Sequence, residues 1–238
     1  MTIMTLFVKK IDGLVRAACI SIIFAAVSSH ADFGAPWVGE DLQGGPCKGG
    51  GQGYGPYDYT QRAQLSQNLK VVEKAHFTSA VESLSGGAST SRGPLADLDY
   101  TLRAFPNHHR ALHAAIRYRM RLGKPIRHPQ FSHVECYLQR AINYSPRDSV
   151  SHMLYGLHLH RLKKYEKALP AYSRAYELNP RDLEIQYNLA LLHTDLKNFE
   201  QAKTLADQLY DSNFPLQGLK NRLIDAGHWD VKPSKSSP

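Results

Sequence analysis

From Asp97 almost to the C terminus, apolar residues recur three or four positions apart, the spacing that gathers them on one face of a helix. The pattern predicts a short helix over residues 97–105, stopped by Pro106, then helices over 108–122 and 130–143. Two further helix pairs are expected in 149–182 and 183–216. Past Pro215, the residues Leu216, Leu219, Leu223 and Ile224 predict a closing helix ended by Ala226-Gly227, with Trp229 tucked beneath it. Upstream, residues 60–84 are moderately helical, and Ser85 to Ser91 breaks the pattern with small residues. Residues 32–55 carry neither a helical nor a strand period, and glycine and proline dominate them. The expected class is all-α: a short helical solenoid with an irregular Gly-rich N-terminal segment.

Within this pattern lies a repeat. Pro146 and Pro180 stand 34 residues apart, each closing a similar string, Ala141-Ile142-Asn143-Tyr144-Ser145-Pro146-Arg147-Asp148 and Ala175-Tyr176-Glu177-Leu178-Asn179-Pro180-Arg181-Asp182. That period, ending in Asn/Ser-Pro, is the signature of a helical repeat, an architecture that builds binding surfaces more often than active sites. Pro106 to Pro146 spans 40 residues, and the excess of six falls in the turn Gly123 to Pro129, where insertion is cheap.

The residues at these positions resemble the tetratricopeptide repeat family. In 149–182, Gly156, Ala168, Tyr172, Ala175 and Pro180 fill the family's slots, with His152, Tyr155 and Leu159 replacing its tryptophan, leucine and tyrosine. In 183–216, Leu189, Ala190, Ala202, Ala206 and Leu209 follow the same scheme, and Pro215 arrives one residue late. Small residues belong where helix backbones meet closely. Departures are the polar residues in both tryptophan slots and Pro170, early in a second helix. Cys47, Gly55 to Tyr59, Ala75 to Thr78, Leu98 to His108 and Val134 to Tyr137 further resemble small exported repeat proteins of Gram-negative bacteria.

The first 31 residues read as a secretory signal. Lys9, Lys10 and Arg16 precede or enter an apolar run, Ala17 to Val27, which is followed by Ser29-His30-Ala31, with cleavage expected after Ala31. That run is shorter than the roughly 20 residues a membrane span needs. No stable membrane insertion is expected after cleavage, and the alternative is a retained anchor. The organisation expected is then signal (1–31), Gly/Pro-rich segment with helical lead-in (32–96), repeat domain with closing helix (97–230) and disordered tail (231–238). Losing three cations and Asp12 takes the net charge from +8 to +6. An exported basic protein points to an acidic protein or peptide partner rather than to nucleic acid. Cys47 and Cys136 survive cleavage, and an even count in an oxidising compartment predicts a disulfide; a buried free thiol at Cys136 is the alternative.

Catalytic signatures are missing from the sequence. No Gly-x-Ser-x-Gly occurs, no Gly-Lys-Ser/Thr follows the glycines, and the acidic pairs Asp97/Asp99 and Asp225/Asp230 lack a supporting setting. A non-enzyme without a cofactor is expected. The alternatives are a metal- or haem-handling protein, with His109 and His113 one helical turn apart and His108, His128 and His133 nearby, or an accessory subunit of an envelope enzyme. In the family resembled, the first helix of each pair lines a concave groove. That implies peptide-binding positions His113, Arg117 and Arg121, then Met153, Leu157, His160 and Arg161, then Tyr187, Asn188, Leu191 and Thr194. The chaperone carboxylate-clamp pattern is not complete, because Leu154 stands where a partner asparagine for Asn188 belongs.

Overall fold

A computed structural model describes residues 34–88, 93–126, 128 and 130–229. Residues 1–33, which include the expected secretory signal, Ser89 to Arg92, Arg127 and Pro129 of the turn, and the residues from Asp230 onward lie outside the described residues. After a single turn at Tyr59–Gln61 the described residues form ten helices: α1 (Ser66–His76), α2 (Ser79–Ser83), α3 (Pro94–Ala104), α4 (His109–Leu122), α5 (Val134–Tyr144), α6 (Ser149–Arg161), α7 (Tyr165–Leu178), α8 (Leu183–Asp195), α9 (Phe199–Asp211) and α10 (Gly218–Asp225). Among the described residues the only β pairings are two isolated bridges. The fold is all-α.

The helices alternate between two rows. Each of α2, α4, α6, α8 and α10 packs on the next member of its own row, and the intervening α3, α5, α7 and α9 join them from the other side. The 34-residue period explains the local geometry. Asp148 and Asp182 each cap a first helix: Asp148 accepts from the Val150 N–H at 3.2 Å, and Asp182 from Glu184 at 2.9 Å and Ile185 at 3.1 Å. His108 holds the equivalent position one repeat earlier, its Nδ1 accepting from the Ala111 N–H at 3.1 Å. Lys163 and Lys197, again 34 apart, take the left-handed conformation that turns each first helix into its second. Small residues stand at the closest approaches: Ala168, Ala175, Ala190, Ala202 and Ala206 are fully buried, and a Cβ added to Gly156 would lie 2.7 Å from the Tyr172 ring.

Several expected elements move. The helix expected from Asp97 starts at Pro94, whose fixed φ suits a first turn. The helix expected over 130–143 begins only at Val134, because Phe131 stacks on His128 and His133 is extended as the N-cap. Residues 60–84 split into α1 and α2, and α2 takes a place in the first-helix row ahead of α4. Leu216 is exposed, whereas Leu219 and Leu223 carry the closing helix inward. Helix α7 continues through Pro170 in its second turn.

The segment before α1 is irregular yet tied down. Cys47 and Cys136 form a disulfide, with Cα atoms 5.4 Å apart. Arg140 is 2% exposed, and its guanidinium donates to the carbonyls of Ala35 (2.6 Å) and Leu102 (2.7 Å) and to Gln52 Oε1 (2.8 Å), beneath the Trp37 ring. Among the described residues no carboxylate pairs with it, and burial pulls its pKa down to about 10. Tyr57 and Tyr59 pack against Phe105 and His108, while Tyr54 stays exposed. Among the described residues, the hydrogen bonds from this strap to the helices go to α1, where Asn68 donates to the Tyr54 hydroxyl, and to α3, α5 and their flanking turns. The strap therefore lies mainly on the second helices, and it meets the first-helix row at the N-terminal end of α4, where Tyr59 packs on His109.

Candidate functional site

The row α2–α4–α6–α8–α10 is the surface on which the implied groove residues fall, and the structure treats them unequally. Leu157 and Leu191, 34 residues apart on α6 and α8, are half-buried apolar side chains at equivalent places. Asn188 is half-buried and donates to the Glu184 carbonyl at 2.8 Å, with its amide 4.0 Å from the Met153 sulfur. Met153 itself is buried, a supporting residue beneath the surface rather than a contact on it. Thr194 also differs from expectation: it is buried and its hydroxyl bonds back to the Ala190 carbonyl at 2.9 Å, as a threonine inside a helix readily does. Tyr187 is covered by Phe214, ring centroids 5.1 Å apart, with Gly218 against its hydroxyl.

The arginines and histidines divide in the same way. Arg117 donates to the Glu82 carbonyl and Arg121 to the Leu84 carbonyl at 2.7 Å, so both rest partly on the end of α2. Glu82 is held by Arg110 through both carboxylate oxygens. His160 Nε2 meets Asp195 at 2.8 Å, and Arg222 of α10 bonds the same carboxylate. These two partners hold the Asp195 pKa down against its partial burial. Arg161 is exposed and has no hydrogen bond or ion pair among the described residues. His113 is half-buried, and its pKa is lowered by desolvation and by the positive fields of Arg161 and Arg117.

The metal alternative loses its geometry. His109 is turned onto Asp148 at 2.8 Å, and Asp148 is also bonded by Ser151 and Asn107. His108 is buried against Glu73 at 3.1 Å, and His133 faces Asp41 and Glu135 at 3.7 Å. Among the described residues no group of three His, Cys, Asp or Glu side chains is arranged to hold a metal ion. The histidines instead join neighbouring elements: His76 to Asp97, His108 to Glu73, His109 to Asp148, His158 to Glu135 and His160 to Asp195. Composition alone did not reveal this role. The signal available was positional, since His108 stands where the later repeats place a capping aspartate.

A two-row α-helical solenoid with a 34-residue repeat defines a class of interaction scaffold. Residues 135–182 and 159–222 each match a tetratricopeptide repeat sequence model, so residues 135–222 carry tetratricopeptide repeats. A 51-residue stretch is 37% identical to the Hsp70-Hsp90 organising protein of Plasmodium falciparum (isolate 3D7), covering 21% of this chain and 9% of that protein. The chain thus matches under a tenth of that relative's length. A solved structure, a thermophilic TPR protein of Thermus thermophilus, aligns with a TM-score of 0.46 at 16% identity, over 68% of this chain and 83% of that one. Among the described residues no helix is long and apolar enough to cross a membrane.

Proposed function

We propose that the protein is a non-catalytic, exported adaptor that captures a protein or peptide on its first-helix row. The observation that carries this reading is the row itself, open along α6 and α8 among the described residues. The strap that covers α3 and α5 meets this row at the N-terminal end of α4, and Leu157, Leu191 and Asn188 present a mixed apolar and amide surface further along it. An extended segment suits such a surface, with aliphatic side chains on the leucines and backbone groups on the amide. The similarity to an organising protein of two chaperones agrees with an adaptor role in general and leaves this partner unspecified. Export is part of the reading, supported by the N-terminal sequence pattern and by a cysteine pair placed to bond in an oxidising compartment.

Site-specific photo-crosslinking in intact cells tests the assignment. A photoreactive residue replacing Leu157 or Leu191 should give a discrete adduct, and one replacing Lys167, exposed on α7, should give none. Adducts from Lys167 alone would move the binding surface to the second helices. Fractionation of the same cells checks the compartment: a cytoplasmic pool of the full chain with both thiols free would contradict export.

A further inference from the structure

Away from the first-helix row, the strap and the start of α5 enclose a small polar cavity of about 260 Å³. Asp41 and Lys48 line it from the strap, and His128, Ser132, His133 and Cys136 line it from the turn and helix opposite. The Cys47–Cys136 disulfide ties the two walls to each other. Drug-sized sites take about 300–1,000 Å³, so this one suits a molecule of a few heavy atoms. Its polar groups are only partly used. Ser132 is 2% exposed, and its Oγ has no hydrogen-bond partner among the described residues, an uncommon state for a buried hydroxyl. Lys48 is exposed and has no ion pair among the described residues. One oxygen of Asp41 accepts from the Gln43 and Gly45 N–H groups, at 2.8 and 2.9 Å. Its other oxygen stands 3.7 Å from His133 Nε2, beyond hydrogen-bond reach. His128 Nδ1 accepts from the Gln130 N–H at 3.2 Å, which places the proton of the neutral ring on Nε2 as a donor.

We infer that this cavity is a binding site for a small zwitterion, a free α-amino acid. The site goes beyond the adaptor reading and does not depend on it. Both signs of charge line the cavity, and that decides the class of ligand. A plain anion would meet the open Asp41 oxygen, and a plain cation would meet Lys48. A molecule that carries an ammonium and a carboxylate on one carbon gives each of them a partner. The ammonium donates to the second Asp41 oxygen. The carboxylate accepts from Lys48, from His128 Nε2–H and from the Ser132 hydroxyl, which thereby gains the acceptor it lacks.

The probe is L-alanine. Propionate, which lacks its ammonium, and alaninamide, which lacks its carboxylate, are the comparators, with inorganic phosphate as a third. Binding to the full chain with its disulfide intact is followed by NMR at the His128 and His133 rings. Alanine should bind about tenfold more tightly than propionate or alaninamide, a difference of about 1.4 kcal/mol. Lys48→Met, which breaks no ion pair among the described residues, should weaken alanine about tenfold and leave alaninamide unchanged. Asp41→Asn keeps the oxygen that its own loop uses, so it should weaken alanine and alaninamide alike and leave propionate unchanged. Ser132→Ala should weaken alanine and propionate, the two probes with a carboxylate. Propionate or phosphate binding as tightly as alanine would overturn the zwitterion assignment in favour of an anion site. Alaninamide binding as tightly as alanine would overturn the role given to Lys48, His128 and Ser132. Ring signals unmoved by every probe would overturn the site and leave a cavity that holds water alone.

Discussion

The helix pairs from Ser149 to Asp211 and the strap before α1 belong to one contact unit, yet different forces hold them. In the pairs, alanines and one glycine let backbones approach, and Tyr172, Ile185, Leu192 and Leu209 fill the space between them, each fully buried. A buried side chain of that size contributes about 1.5–3 kcal/mol. The strap buries apolar side chains only at scattered points, through Trp37, Leu42, Tyr57 and Tyr59. A disulfide, an unpaired guanidinium and side chains of α5 that bond its backbone hold it in place. Repetition supplies its own packing partner in the next repeat. A segment that occurs once needs individually placed polar and covalent ties.

The largest expected effect comes from the covalent tie. The disulfide joins residues 89 apart, and in the chain-entropy picture its loss should destabilise the protein by up to about 4–5 kcal/mol. Urea unfolding of the Cys47→Ser/Cys136→Ser protein checks this; an unchanged midpoint would show the strap to be held without it. Arg140→Met comes next. Two buried carbonyls, of Ala35 and Leu102, lose a charged donor, so about 3 kcal/mol should be lost. Calorimetry at neutral pH measures it.

A medium effect is expected in the repeats themselves. Gly156→Ala places a methyl group against the Tyr172 ring and should lower stability by about 1–3 kcal/mol through overpacking. If that variant unfolds as the parent does, α6 and α7 are less tightly apposed than described. A pH-dependent effect involves Glu135, whose carboxylate joins the strap at Leu42 N–H to the repeats at His158. Despite burial, its hydrogen bonds hold the pKa down to about 2 from an ordinary 4.5. A depressed acid contributes stability that is full above pH 4.5 and is lost as the pH falls towards 2. Glu135→Gln should therefore flatten the acid limb of a stability profile between those values. An acid limb as steep as the parent's would place the responsible group elsewhere.

What could be read in advance follows the same division. The 34-residue period, the alanines and Gly156 place the regular pairs because each encodes a local packing rule that recurs. Helix α2 was hidden, since five residues ending in a left-handed Leu84 carry too short a pattern to declare a row position. The irregular character of the strap was legible, but its anchor was not. Nothing in the string around Arg140 says that a cation will be buried under tryptophan with only neutral oxygens for partners. Groove positions carried over by repeat phase found the helices, and their exposure depended on neighbours outside the motif. Thr194 turned onto its own helix, Tyr187 went under Phe214, and Arg117 and Arg121 reached back to α2.

Hydrogen–deuterium exchange of the protein, oxidised and then reduced, tests most directly the claim that the two regions are held by different forces. On reduction, we expect faster exchange in residues 35–58 and in the first turn of α5, while amides of α6 to α9 keep their protection. Equal loss of protection in α6–α9 and in the strap would contradict the claim, because the repeats would then depend on the staple as much as the strap does.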